Sequence, residues 1–158
     1  MAAANWPHTG NDTLTYFRGR QADMTIRLSE QISDTDTYLS LRAAGGLSSY
    51  DRDAADIGLK NSLYSVMLLD QDRTIGMGRL VGDGGCFVQV ADIIVHPDFQ
   101  GRGLGKKIME ALTSFIETRL PPSIYVSLIA DVPANHLYEQ FGFRETAPSS
   151  LGMARRGR

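Results

Sequence analysis

One stretch constrains this chain more than any other: Asp92-Ile93-Ile94-Val95-His96-Pro97-Asp98-Phe99-Gln100-Gly101-Arg102-Gly103-Leu104-Gly105-Lys106-Lys107. An apolar strand runs into a proline-broken turn, then a glycine-rich loop, then an amphipathic helix. Such a loop leaves backbone N–H groups unobstructed at a helix N-terminus, where the helix dipole also favours an anion. The expected ligand therefore carries phosphate. Two common phosphate loops do not fit. A P-loop needs G-x-x-x-x-G-K-[ST]. Gly105 and Lys106 would supply its second half, but Gln100 stands at the first glycine position and Lys107 at the Ser/Thr position. A dinucleotide-binding G-x-G-x-x-G fails as well. Its third glycine would be Lys106 counted from Gly101, or Ile108 counted from Gly103.

The chain around this stretch is long enough for one core. At 158 residues, a single domain buries roughly 70% of its unfolded surface. With 16 Lys and Arg against 18 Asp and Glu, the net charge of -2 offers no electrostatic case for nucleic acid. The single Cys86 forms no internal disulfide, which points to a reducing, cytoplasmic setting, and it reads as a small core residue. No apolar run approaches the ~20 residues of a membrane span, so no membrane partner is expected. The His residues are scattered and form no zinc pattern with the cysteine; no metal is expected. Residues 1–23 are small and polar without a clean period and read as an N-terminal extension. Residues 24–154 read as one domain, and 155–158 as a basic tail.

Periodicity places the elements. A strand over 25–28 precedes a helix over 33–44, capped by Ser33, with Tyr38, Leu39, Leu41 and Arg42 on its buried side. A second short helix spans 53–62. Strands follow over 63–69 and 74–81, paired as a hairpin, and then over 87–95. Leu104, Ile108, Ala111, Leu112 and Phe115 repeat at helical spacing. A strand over 124–129 and a short helix from about Val132 come next. Phe143-Arg144-Glu145 and Leu151-Gly152-Met153 read as terminal strands. The order β-α-α-β-β-β-α-β-α-β(-β) implies an α/β fold of the α+β kind: a mixed, mostly antiparallel sheet of six to seven strands with helices on both faces.

The loop does fit Q-x-x-G-x-G, read at Gln100, Gly103 and Gly105. In this the chain resembles the GCN5-related N-acetyltransferase (GNAT) superfamily, whose acetyl-CoA pyrophosphate loop has the form [RQ]-x-x-G-x-[GA]. The later Leu137-Tyr138-Glu139-Gln140-Phe141-Gly142-Phe143 is similar to the family's L-Y-x-x-x-G-F. The resemblance covers roughly residues 25–153 and implies the same element order.

It also implies a chemistry: acetyl-CoA as co-substrate and acetyl transfer to a primary amine of a small molecule, by direct attack in a ternary complex. Backbone groups of Ile93, Ile94 and Val95 are then expected to hold the pantetheine arm, with the Ile94 N–H facing the thioester oxygen. Gln100, Gly101, Arg102, Gly103, Leu104, Gly105 and Lys106 are expected to supply N–H groups to the pyrophosphate, Gly103 and Gly105 keeping side chains away. Tyr138 is the candidate acid toward the departing thiolate, because a phenol with pKa ~10 is protonated at neutral pH. Asp92 is the candidate base; an ion pair with Arg79 is its structural alternative, and the amine can also lose its proton to water. Many family members carry an Asn seven residues before the Tyr, where this chain has Asp131. Asn135 is the remaining candidate for that pantetheine contact, and Asp131 reads as a helix cap. For the acceptor, Tyr50, Asp51 and Asp53 are candidates, with Asp56 beside them. An aminoglycoside acceptor and a non-catalytic acyl-CoA sensor are the rival readings. A homodimer is compatible with all of them.

Overall fold

The computed structural model describes residues 26–155 and 157. The extension expected over 1–23, and Arg156 and Arg158 of the tail, lie outside the described residues. Five strands form one sheet in sequence order: β1 (Ile26–Ser29), β2 (Tyr64–Asp70), β3 (Arg73–Gly82), β4 (Phe87–Val95) and β5 (Tyr125–Leu128). The first four are antiparallel neighbours, and β5 joins β4 in parallel. Helices α1 (Thr35–Ala44) and α2 (Arg52–Lys60) lie between β1 and β2 in sequence. Helix α3 (Leu104–Arg119) crosses from β4 to β5, and the short α4 (Asn135–Glu139) follows β5.

Two apolar layers follow from the strand alternation. On one face Val66, Leu68, Ile75, Leu80, Val88 and Val90 meet Leu104, Ile108, Met109 and Leu112 of α3, with Tyr138 of α4. On the other, Met67, Met77 and Ile94 meet Tyr38 and Leu41 of α1 and Ala55 and Leu59 of α2. The four α3 side chains are at most 1% exposed, and burying each contributes roughly 1.5–3 kcal/mol. Gly78 makes this approach possible. A Cβ there would lie 2.4 Å from Ile108 Cγ2 and 2.7 Å from Ile93 Cδ1.

Four local expectations are corrected. Asp34, not Ser33, caps α1, its carboxylate accepting the Thr37 N–H at 2.9 Å. Asp131 caps nothing with its side chain: its backbone carbonyl accepts the Ala134 N–H at 2.7 Å, and α4 begins without a side-chain cap. Among the described residues the sheet has five strands rather than six or seven, because neither C-terminal segment forms one. Thr146 and Ser150 instead bond each other across a turn that contains Pro148 (Ser150 N–H to Thr146 O, 3.0 Å; Thr146 Oγ1 to Ser150 O, 3.1 Å). Local hydroxyl and backbone bonds of this kind compete with a strand ladder, and proline lacks a donor for it. Cys86 is exposed rather than in the core.

Candidate active site

The sheet opens where the sequence drew attention. Strands β4 and β5 pair from Phe87 with Tyr125 to Val90 with Leu128, and there the pairing stops. Strand β4 continues to Val95, so, among the described residues, 91–95 have an edge toward β5 without a strand beside it. Which groups face that gap follows from the two-residue repeat of a strand. The His96 N–H donates to Ile75 O on β3 at 2.7 Å. Ile94, two residues earlier, therefore also turns its backbone groups to β3, where it sits opposite Met77. Ile93 and Val95 turn theirs to the gap. The expectation that the Ile94 N–H meets a thioester oxygen is corrected on this ground. Its side chain, 3% exposed, packs instead in the α1–α2 layer.

The gap leads directly into the glycine-rich loop. A short 3-10 turn (Pro97–Phe99) is followed by Gln100, whose side-chain Nε2 donates to Val95 O at 3.0 Å and ties loop to strand. Gly101 (φ 74°) and Gly103 (φ 75°) adopt the left-handed region, and a Cβ on either would meet nothing within 4 Å. That open space is a cradle for a ligand close to the backbone. Gly103 is the N-cap of α3 and offers no side-chain cap, so the first N–H groups of the helix face outward for an anion. Gly105 also has a protein neighbour: a Cβ there would stand 3.2 Å from Leu137 Cδ2. Leu104 is a core residue at 1% exposure, which leaves only its backbone for a ligand. Arg102 lies over the Phe99 ring at 5.1 Å and donates to Asp98 O at 3.3 Å; Lys106 is exposed.

Tyr138 shares the apolar layer of Ile93, Val95 and Leu104, with Phe143 edge-on at 6.5 Å. Burial first, and the Asp131 charge second, raise its phenol above the ordinary value of 10.0. It is a protonated donor throughout the neutral range. One turn earlier, Asn135 donates to Glu139 Oε1 at 3.1 Å, while its Oδ1 is buried without a hydrogen-bond partner among the described residues. Both side chains line a cavity of about 630 Å³ along β5, together with Ile116, Ser127, Leu128 and Phe143. None of residues 91–106 lines that cavity.

Asp92 occupies an unusual position. Two residues of β4, Asp92 and Ile93, stand opposite the single Gly78 between the pairs Arg79–Ala91 and Met77–Ile94. This is a β-bulge, and Asp92 carries it at φ 54°, the left-handed region that Asp tolerates better than most residues. Its carboxylate is fully engaged. Oδ1 accepts from Arg42 Nη1, and Oδ2 accepts from Arg79 Nε and, at 3.0 Å, from the Tyr38 hydroxyl. The side chains of Asp92, Arg42 and Arg79 are 8%, 5% and 12% exposed. Both oxygens thus already accept hydrogen bonds, which argues against the proton-accepting role expected for Asp92. The Arg79 pair matches the alternative that the sequence offers; Arg42 and Tyr38 join it from α1, where a cation on the buried side demands a partner.

The acceptor candidates divide. Tyr50 is exposed and lies over the Arg42 guanidinium at 4.4 Å. Asp51 caps α2, accepting the Ala54 N–H at 2.8 Å. Asp53 is exposed in the first turn of α2, and Asp56 pairs with Lys60 at 2.6 Å. The α1–α2 connection approaches β4 closely: a Cβ on Gly45 would lie 2.8 Å from Ile94 Cγ2. Among the described residues no group of three His, Cys, Asp or Glu could hold a metal ion, and no helix is long and apolar enough to cross a membrane.

Comparison with known proteins agrees with this geometry. Residues 61–145 match the model of the acetyltransferase (GNAT) domain family. A crystal structure from meticillin-resistant Staphylococcus aureus, described as a protein of unknown function and probable acetyltransferase, superposes with a TM-score of 0.80. It is 44% identical, over 84% of this chain and 99% of that one. An uncharacterized N-acetyltransferase, ycf52, of Porphyra purpurea is 31% identical over 101 residues, which cover 61% of this chain and 57% of that protein. The [ribosomal protein bS18]-alanine N-acetyltransferase of Salmonella typhimurium is 42% identical over 55 residues, 34% of this chain and 37% of that protein. The chain spans little more than half the length of the curated relatives it matches first. An open strand edge feeding a bare glycine loop, with a matching domain model across both, leads to one conclusion: this chain belongs to the GNAT acetyltransferase family.

Proposed function

We propose that the protein transfers the acetyl group of acetyl-CoA to a primary amine of a small molecule, by direct attack in a ternary complex. The observation that carries this reading is the unpaired edge of β4 at residues 91–95, continuous with the open backbone of Gly101 and Gly103. Acetyl-CoA supplies the activated thioester. Ile93 and Val95 offer backbone groups to the pantetheine arm, and their N–H groups are the donors for a developing oxyanion. The loop from Gln100 to Lys106 offers N–H groups to the pyrophosphate, Gly101 and Gly103 leaving it room. The buried Asn135 Oδ1, without a protein partner, suits an amide N–H of the same arm. Tyr138 donates a proton to the departing thiolate, its raised pKa keeping that proton available. With Asp92 occupied, the amine loses its proton to water, and holding two reactants together supplies much of the rate.

The acceptor enters beside the α1–α2 connection, with Tyr50 and Asp53 at its margin. Gly45 packed against Ile94 brings this connection onto the reactive strand, which suits a small amine better than a long chain. A second reading, a protein N-terminal amine, is favoured by the name of the Salmonella relative. Coenzyme A release, followed with a thiol reagent, separates these readings. The assay is run against aryl amines, polyamines, aminoglycosides and peptides beginning with Ala. Release with small amines is expected. Release with the peptides alone would move the acceptor to proteins, and acetyl-CoA binding without release for any amine would favour a sensor.

A further inference from the structure

We propose that Asp92 is a positioning residue: with Arg42, Arg79 and Tyr38 it locks the β4 bulge and sets the direction of the Ile93 N–H. The proposal rests on the acetyltransferase reading above. A non-glycine residue in the left-handed region is strained, and such a conformation persists only when its surroundings over-determine it. Three side chains from two elements, α1 and β3, do so here. Arg42 comes from α1 and reaches Asp92 Oδ1, while its Nε and Nη2 bond Ser48 O at 3.2 and 2.6 Å. Arg79 comes from β3 and reaches Oδ2, while its Nη1 bonds Gly58 O at 2.9 Å and Ser62 Oγ at 3.2 Å. Tyr38 donates to Oδ2, and burial followed by the Asp92 charge raises its phenol, so it stays a donor.

The locked torsion lies immediately before the peptide that carries the Ile93 N–H. A bulge re-aims the groups beside it, and a rotation of this one peptide would turn that N–H out of the gap. The cluster also anchors the acceptor side. Arg42 holds Ser48 in the α1–α2 connection and lies under the Tyr50 ring. One buried group of side chains thus ties the acceptor loop to the strand that receives the cofactor.

Base and lock are told apart by two substitutions. Asn tolerates the left-handed region and keeps one of the two acceptor oxygens, with an NH2 donor in place of the other; Ala does neither. As a lock, Asp92→Asn lowers kcat by no more than about tenfold and leaves the pH profile of kcat unchanged. Asp92→Ala lowers kcat by a further order of magnitude or so, with the KM for acetyl-CoA held within about threefold, because the pyrophosphate loop is untouched. If Asp92→Ala does not fold, Asp92→Gly, which accepts the torsion freely, takes its place in the same ordering. Equal losses of about 10²–10⁴ in Asn and Ala, with the acidic limb of the profile gone, would make Asp92 the base and overturn the proposal. Wild-type kcat in both variants would overturn it as well. Failure of the wild type to release coenzyme A with any amine would sink the acetyltransferase reading alone. The lock is then read from amide hydrogen exchange at residues 91–95, which must quicken in Asp92→Ala and not in Asp92→Asn; equal exchange in the two overturns it.

Discussion

At Tyr138 the environment and the assigned task agree. Removing a hydroxyl from a buried ring that packs beside Phe143 leaves the packing intact, so Tyr138→Phe tests chemistry rather than fold. Steady-state kinetics are expected to show kcat lower by about 10², with acetyl-CoA affinity by calorimetry changed less than about threefold. Unchanged kcat would remove Tyr138 as the acid. This residue was legible because a short motif frames it, whereas Asp92 was only half legible. Its strand position and the Arg79 pair can be guessed from sequence. The Arg42 bond joins residues 50 apart, and the left-handed torsion of Asp92 is a tertiary property with no local signature.

Strands and helices were read well where one face is buried, because alternation and helical spacing then record the fold directly. Strand β2 illustrates this: Val66 and Leu68 face α3, and Met67 faces α1 and α2. The C-terminal segments form no strands, since three-residue segments carry little periodicity and the Thr146–Ser150 turn satisfies their neighbours locally. Turns can also be tested directly. In the β3–β4 turn, Asp83 Oδ1 accepts the N–H groups of Gly85, Cys86 and Phe87 at 2.8, 2.8 and 3.0 Å. These donors, Phe87 first, hold its carboxyl below the ordinary 3.8. A lowered folded-state pKa contributes stability that is complete above the unfolded value and fades as pH falls through the folded one. Asp83→Ala is therefore expected to melt below wild type at pH 7, the difference narrowing once pH drops below 3.8. A difference independent of pH would show that the carboxylate does not anchor the turn.

Over the whole molecule, the sheet brings three separate segments to one place. Strand β4 parts from β5 after Val90, the loop at Gly101 and Gly103 opens where β4 ends, and the α1–α2 connection closes on Ile94 from the other face. Catalysis on this plan depends on holding acetyl-CoA along β4 and at the start of α3, before any acceptor matters. Isothermal titration of acetyl-CoA into wild type and Gly103→Val tests that claim most directly. Valine at φ 75° forces a β-branched residue into the left-handed region and puts its side chain into the open space of the loop. One acetyl-CoA per wild-type chain is expected, and binding weakened by at least about tenfold in Gly103→Val, a loss of roughly 1.4 kcal/mol or more, with the circular dichroism spectrum unchanged. Absence of binding to the wild type, or equal binding by a folded Gly103→Val, would contradict it.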